Sequence, residues 1–186
     1  MPDKPNVIVC LCDQMRPFEV GCYGHTVVQT PNIDRFAAKS ARFEVAVTSN
    51  PICSPARSSL LTGQQVRSCN GILTNVKDRD PPNPKREMLV DTTLPEVFRD
   101  AGYRTALVGK WHVDPQPQLV GFDSVVYPNF EHRHYGQTYR DETAEPVVVV
   151  DEFIGDFNFF VFFVYKLPSS FGSFYITINF STFFGF

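Results

Sequence analysis

The chain has 186 residues, of which 43% are hydrophobic and 20% are charged, so it can bury the core of one domain. Its formal net charge of −3 argues against a general nucleic-acid binder, which is usually basic. Its five cysteines are an odd number confined to the first 69 residues, which excludes the disulfide framework of a small secreted domain.

The N-terminal residues predict neither export nor membrane insertion. They lack the basic start, long apolar stretch and small-residue cleavage site of a signal peptide. The sequence also contains no run of about 20 predominantly apolar residues that could span a bilayer. We therefore expect a cytoplasmic protein with no membrane partner and no nucleic-acid partner.

The first predicted element is a strand over residues 6–12. This run is continuously apolar after Asn6 and rich in β-branched side chains, which is typical of a strand buried on both faces of a parallel sheet. We therefore expect it to be central and buried. Asp13 follows directly, at the carboxyl end of the strand, which is the edge where open parallel sheets bind ligands.

Two helices are predicted from their N-terminal signals. Thr30-Pro31 places a capping residue before a proline at the first helical position. Residues 93–96 read Thr-Leu-Pro-Glu, a capping box, and Gly102 ends the helix that follows. A second strand is predicted over residues 103–108. This order of a strand, a helix and another strand predicts an α/β fold with parallel strands joined by crossovers.

The last part of the chain differs in composition from the rest. Residues 151–186 hold 12 of the 18 phenylalanines, and Lys166 is the only charged side chain after Asp156. We place the boundary between two regions there, at 1–156 and 157–186. Residues 157–165 could form a central strand, whereas residues 167–186 hold neither strand nor helix periodicity and are expected to pack poorly.

The strongest local motif lies within residues 51–63. Pro55 suits the first turn of a helix that ends at Gly63, and Cys53 then lies near the positive end of that helix. Arg57 follows one helical turn later and can point back toward the same place. The motif is compatible with an anion site beside a reactive sulfur, and equally with a buried structural cysteine.

Several motifs together resemble those of one enzyme family. The segment from Cys53 to Arg57 resembles the Cys-x-Pro-x-Arg signature of the formylglycine-dependent sulfatases. Residues 102–112 resemble a second family signature, Gly-Tyr-x-Thr followed by Gly-Lys-Trp-His, and residues 5–14 resemble its first strand and metal-binding turn. Shorter matches occur at residues 21–25, 30–34 and 121–123. Their common order over residues 5–123 makes chance agreement improbable.

The resemblance implies a fold and a chemistry. The fold would be the α/β fold of the alkaline phosphatase superfamily, with a mainly parallel sheet between helices, of which this chain holds the N-terminal portion. The chemistry would be hydrolysis of a sulfate ester of a small molecule or saccharide. A formylglycine-generating enzyme would first convert Cys53 to the aldehyde whose hydrate is the nucleophile.

The resemblance also implies roles for individual residues. A Ca²⁺ ion would be bound by Asp13, Gln14 and Cys53, the last as formylglycine. The side chains implied in catalysis are Cys53, Arg57, Lys110 and His112. Arg57 would hold the hydrate, and Lys110 and His112 would contact the sulfate oxygens or the hydrate.

The family draws further groups from its second half, including an acidic pair at the calcium site and another His and Lys. This sequence has no Asp or Glu after Asp156 and no His after His134, so we expect an incomplete catalytic domain. Two alternatives stay open. The chain could be related to phosphate or phosphonate monoester hydrolases of the same superfamily, or it could be a truncated product without catalytic activity.

Overall fold

The computed structural model describes residues 5–69, 73–76, 84–128, 137–141, 146–150 and 159–165. The strands are β1 (Val7–Cys12), β2 (Arg104–Val108), β3 (Ser124–Pro128), β4 (Gln137–Arg140), β5 (Pro146–Val150) and β6 (Phe159–Tyr165). The α-helices are α1 (Pro31–Ala37), α2 (Cys53–Thr62), α3 (Val66–Cys69) and α4 (Leu94–Asp100). This mixture of strands and helices confirms the α/β class.

The described residues form two compact units. The first unit holds the residues up to Asp13 and those from Thr48 onward, and it contains the sheet. The second unit is Gln14–Val47 and contains α1. Within the described residues, no helix is both long enough and apolar enough to cross a bilayer. The predicted boundary at residue 156 and the tail at 167–186 lie outside the described residues and stay predictions.

The strands form one mixed sheet in the order β1-β6-β2-β3-β4-β5. Only β2 and β3 are paired in parallel, and the other four described pairings are antiparallel. The prediction of a mainly parallel sheet is therefore wrong for the described residues. The reason is β6, which pairs antiparallel with β1 on one side and with β2 on the other.

β1 forms where it was predicted, but it lies at an edge of the described sheet rather than at its centre. Ile8 is 56% exposed and Cys10 is also exposed, so the prediction of burial on both faces is wrong as well. One consequence of the predicted topology is nevertheless observed, the parallel direction of β1 and β2. Because β1 and β2 are both antiparallel to β6, they are parallel to each other, and their carboxyl ends meet at the same edge.

The core of the first unit lies beside the sheet. It is built from apolar side chains of α2, β2, β3 and the segments between them: Leu61, Leu89, Tyr103, Leu107, Trp111, Val113, Val120, Phe122, Val125 and Tyr127. Leu107 and Leu89 are fully buried, and Val7, Val9 and Leu11 of β1 pack against this cluster. Packing against this core therefore fixes the positions of β1, α2 and β2 and of the residues at their ends.

The predicted start of α1 at Thr30-Pro31 is confirmed in the second unit. The Asp34 carboxylate accepts hydrogen bonds from the Cys22 backbone N–H at 2.6 Å and from the Thr30 hydroxyl at 3.0 Å. A Cβ at Gly21 would lie 2.4 Å from Asp34 Oδ2, so a larger residue there would force the Asp34 carboxylate to move. The two short motifs around Gly21 and Asp34 are thus explained by the folding of this unit.

The predicted capping box of α4 is also confirmed. The Glu96 carboxylate accepts a hydrogen bond from the Thr93 backbone N–H at 2.9 Å and forms an ion pair with Arg86. The Thr93 hydroxyl donates to the Val120 carbonyl at 2.6 Å. The start of α4 is therefore attached to the segment that precedes β3.

Gly121 lies against this helix start. Its φ is +101°, and an added Cβ would lie 2.7 Å from the Glu96 backbone nitrogen. Its carbonyl accepts a hydrogen bond from the Thr105 hydroxyl at 2.6 Å. The motif at residues 121–123 is therefore explained by close packing of α4, β2 and the turn before β3.

We predict that Gly121→Ala lowers the free energy of unfolding by more than Gly102→Ala. Both glycines have a positive φ, but a Cβ at Gly102 meets nothing within 4 Å. Gly102→Ala should cost about 1–2 kcal/mol from the left-handed backbone alone. Gly121→Ala should cost about 1–3 kcal/mol more, because the methyl group overlaps rigid helix backbone. Urea denaturation measures both, and equal losses would contradict the packing argument.

A second prediction concerns the pH dependence of stability. Burial raises the pKa of Glu96, but hydrogen bonds from Arg86 and Thr93 outweigh that effect and hold the pKa below its usual value. The contribution of Glu96 is therefore complete above its unfolded-state pKa of about 4.3 and is lost as the pH falls through the lower folded-state value.

Glu96→Gln should consequently cost about 1 kcal/mol near pH 7, with the difference from the unsubstituted chain shrinking as the pH falls below about 4. Denaturation midpoints of both proteins between pH 7 and pH 3 test this. A difference that is the same at every pH would show that the charge of Glu96 contributes nothing.

Candidate active site

Cys53 is the first residue of α2, which begins and ends where the sequence predicted. Ile52 is the N-cap, and its carbonyl accepts the first helical hydrogen bond, from the Ala56 N–H at 2.9 Å. Gly63 ends the helix with a φ of +67°, and its N–H donates to the Ser59 carbonyl. Cys53 thus lies at the end of the helix where the unpaired N–H groups and the positive dipole end favour an anion.

The first turn of α2 is attached to residues 73–76. The Ser54 N–H donates to Asn75 Oδ1 at 3.1 Å, and the Val76 N–H donates to the Ser54 hydroxyl at 3.1 Å. The Asn50 side chain accepts from the Ile52 N–H at 3.0 Å just before the helix. The contact of Asn75 with Ser54 was not predicted, since a separation of 21 residues gives no local sequence signal.

The turn after β2 positions Lys110. Gly109 has a φ of +96°, and its N–H donates to the Val126 carbonyl of β3 at 2.8 Å. Trp111 is buried and meets the Phe122 ring edge to face, with ring centroids 5.8 Å apart. These contacts hold the backbone on both sides of Lys110, whose side chain reaches the carboxyl end of β1.

Four side chains meet at this edge, and we name them the Asp13 cluster: Asp13, Cys53, Arg57 and Lys110. Lys110 Nζ donates to Asp13 Oδ2 at 2.8 Å, and Arg57 Nη2 donates to Oδ1 at 3.3 Å. Cys53 Sγ lies 3.6 Å from Asp13 Oδ1 and 3.6 Å from Lys110 Nζ. The structure therefore brings Asp13, Cys53 and Lys110 together where the sequence predicted, while the chemical roles of these residues stay predictions.

Arg57 is a structural support of the cluster as well as a charge. It is only 2% exposed, and its Nη1 donates to the Lys110 carbonyl at 2.8 Å. One side chain thus joins α2 to the turn after β2. Burial lowers the pKa of Arg57 and the nearby Asp13 charge partly offsets this, but a guanidinium stays protonated in proteins.

The Asp13 carboxylate is ionised in this environment. Burial raises its pKa, but the hydrogen bond from Lys110 and the charges of Lys110 and Arg57 outweigh burial, so the pKa lies below its ordinary value. Asp13 is thus the negative charge that compensates two buried cations. Asp13, Arg57 and Lys110 together carry a net charge of one positive unit, which favours an anion beside the Cys53 sulfur.

His112 occupies the end of the same turn. Its φ is +51°, in the left-handed region that is uncommon for a residue other than glycine, and its side chain is half-buried. The contacts that define the Asp13 cluster are made by the four side chains named above. The predicted role of His112 therefore stays a prediction.

The described residues do not fit a calcium ion. Calcium takes six to eight oxygen ligands, whereas both Asp13 oxygens already accept hydrogen bonds from cationic side chains. No group of three or more His, Cys, Asp or Glu side chains that could hold a metal ion exists among the residues described. Gln14, with a φ of +56°, begins the second unit. The structure brings Asp13 and Cys53 together, and the metal-binding roles predicted for Asp13, Gln14 and Cys53 stay predictions.

Comparison with known proteins identifies the family of this chain. A family model described as Sulfatase matches residues 5–159. The chain belongs to the sulfatase family. The family motifs predicted from the sequence therefore mark a true sulfatase chain, and its Asp13 cluster is formed by three of them.

Characterised relatives are several times longer than this sulfatase chain. It is 37% identical over 130 residues to N-acetylgalactosamine-6-sulfatase of Rattus norvegicus, a match that covers 66% of this chain and 25% of the relative. It is 36% identical over 130 residues to an ulvan-active sulfatase of Formosa agariphila, covering 66% and 24%. The chain thus spans about a quarter of the length of these relatives.

The fold is shared with a solved structure. Ps i-CgsB superimposes with a TM-score of 0.65, covering 76% of this chain and 36% of that chain, at 19% sequence identity. At this identity the likeness concerns the fold alone.

We predict that Asp13→Asn destabilises the chain strongly. The substitution leaves Arg57 and Lys110 buried without their negative partner, which should cost about 3 kcal/mol. Asp13→Asn combined with Lys110→Met should cost less than the sum of the single substitutions, with a coupling of about 1–3 kcal/mol. Urea denaturation of the four proteins measures this coupling. Strict additivity would mean that the ion pair contributes nothing to folding.

Proposed function

We propose that this chain forms the nucleophile-bearing part of a sulfatase active site, in which Cys53 is converted to formylglycine and attacks a sulfate ester. The observation that carries the proposal is the position of Cys53 Sγ, 3.6 Å from both Lys110 Nζ and Asp13 Oδ1. An oxygen nucleophile at that place has a carboxylate and an ammonium group within contact distance. The sulfatase membership of the chain supplies the reaction class.

The proposed chemistry is a double displacement. A separate converting enzyme, with an external oxidant such as dioxygen, removes two electrons from the Cys53 side chain. A water oxygen replaces the sulfur, which leaves as sulfide, so that the CH₂–SH group becomes an aldehyde, and a second water adds to give a hydrate with two hydroxyl groups. One hydrate hydroxyl loses its proton to solvent and attacks the sulfur of the ester, the S–O bond to the alcohol breaks, and the alcohol leaves after taking up a proton from solvent. Deprotonation of the second hydroxyl group then expels sulfate and regenerates the aldehyde.

The other residues of the Asp13 cluster stabilise charge in this scheme. Lys110 is held by the turn after β2 and would donate hydrogen bonds to the equatorial sulfate oxygens as their charge increases. Arg57, which is fixed to the Lys110 carbonyl, would orient the hydrate and add positive charge beside it. His112 would contact the sulfate oxygens or the hydrate.

Calcium is a general feature of sulfatases, but the scheme above uses only the side chains of the Asp13 cluster and His112. One carboxylate that is already paired with two cations cannot supply a calcium site. A calcium ion would therefore need oxygen ligands from chain beyond the described residues.

We propose a sulfated saccharide as the substrate class. Relatives are named for sulfated sugars: N-acetylgalactosamine-6-sulfatase, ulvan-active sulfatase and N-acetylglucosamine-6-O-sulfatase. The net positive charge of the Asp13 cluster is suited to the sulfate group that such sugars share.

The proposal predicts that co-expression with a formylglycine-generating enzyme places an aldehyde at residue 53. The tryptic peptide containing residue 53 should lose mass and should react with a hydrazide probe. Cys53→Ala should abolish the label, whereas Cys69→Ala, which changes a buried cysteine in α3, should leave it unchanged. An unmodified thiol under conditions that convert a longer sulfatase would contradict the proposal.

The same preparation should hydrolyse an aryl sulfate at a rate close to background, because the described site offers one carboxylate and no calcium site. Turnover that needs the aldehyde but not added calcium would show that the Asp13 cluster suffices for catalysis. Turnover that persists in Cys53→Ala would come from another protein or another site.

A further inference from the structure

The Asp13 carboxylate lies within hydrogen-bond distance of two positive groups belonging to the chain itself. Lys110 Nζ donates a hydrogen bond to Asp13 Oδ2 at 2.8 Å, a normal length for a charge-assisted hydrogen bond. Arg57 Nη2 lies 3.3 Å from Asp13 Oδ1. These are the two oxygens through which an aspartate binds a divalent cation. The place of such a cation beside Asp13 is thus taken by an ammonium group.

Lys110 is not a surface lysine that meets Asp13 by chance. It is 7% exposed, and its carbonyl accepts a hydrogen bond from the buried Arg57. The Gly109 N–H is fixed to β3, and Trp111 is packed in the core. The backbone on both sides of Lys110 is therefore immobilised, and its side chain is presented to a carboxylate 97 residues earlier in the chain.

The charges of Lys110 and Arg57 oppose the binding of a third cation at Asp13. A divalent ion bound to Asp13 would lie beside the ammonium of Lys110 and the guanidinium of Arg57, with one carboxylate to compensate all three. Within the described part of the chain, no further acidic, His or Cys side chains gather there to balance the excess. An ion that binds Asp13 must therefore displace Lys110 or bring additional carboxylates.

We propose that Lys110 is the resident counter-cation of Asp13, so that the Asp13 cluster is ordered without a metal ion and a divalent cation reaches Asp13 only by displacing the lysine. The proposal concerns the unmodified chain and does not depend on the conversion of Cys53. It reverses the expectation that Asp13 is by itself an available calcium ligand.

Terbium(III) luminescence tests the proposal, because this ion prefers the same hard oxygen ligands as calcium and is sensitised by nearby aromatic rings. The proteins needed are the 186-residue chain, Lys110→Met, Lys110→Met combined with Asp13→Asn, and Lys39→Met. The last variant removes one exposed positive charge of the second unit and controls for net charge.

We expect the unsubstituted chain and Lys39→Met to bind terbium equally weakly. Lys110→Met should bind at least about tenfold more tightly, since the competing charge is gone, and adding Asp13→Asn should remove the gain. Excess calcium should displace the terbium from Lys110→Met. Repeating the titrations with Cys53→Ala in every protein should leave the pattern unchanged.

Any of three results would overturn the proposal. The first is terbium or calcium binding by the unsubstituted chain that Asp13→Asn abolishes, and the second is a folded Lys110→Met protein that gains no affinity. If Lys110→Met does not fold, Lys110→Gln takes its place. A thermal midpoint of the unsubstituted chain that rises in calcium and falls in a chelator, in an Asp13-dependent way, would also contradict the proposal.

Discussion

The site of this protein depends on one carboxylate shared between two buried cations. Asp13 follows β1, Arg57 belongs to the first half of α2, and Lys110 follows β2, so the shared ion pair joins three elements that are far apart in sequence. Cations as buried as Arg57 and Lys110 are stable only with a negative partner. The same partner fixes the surroundings of Cys53, whose sulfur contacts both Asp13 and Lys110. The same ion pairs therefore hold these three elements together and define the surroundings of Cys53.

The sheet makes this meeting possible. β6 is inserted between β1 and β2 and pairs antiparallel with each, which leaves β1 and β2 parallel to one another. Their carboxyl ends then lie at one edge, although only β2 and β3 are paired in parallel. A site typical of a parallel sheet thus occurs in a mixed sheet. The site requires only that β1 and β2 run in the same direction, whatever the direction of the other strands.

Several motifs of the sulfatase family have structural explanations in this chain. Gly21 makes room for the Asp34 carboxylate, and Gly121 makes room for the start of α4. Both glycines allow a close approach, whereas Cys53 and Lys110 lie beside the Asp13 carboxylate. The chain spans about a quarter of its relatives' length, and the described residues bring Cys53 next to the charges of Asp13 and Lys110.

The sequence by itself determined the local elements and the chemical identity of the site. Capping residues and stop glycines act over three or four positions, so the start of α1, the start of α4 and the full extent of α2 followed from spacing. Helical periodicity also placed Arg57 one turn after Cys53. The tertiary structure alone decided that β1 lies at an edge, that Asn75 anchors α2, and that Asp13 is occupied by Lys110. These outcomes depend on strand order and on ion pairs between residues up to 97 positions apart, for which local sequence carries no signal.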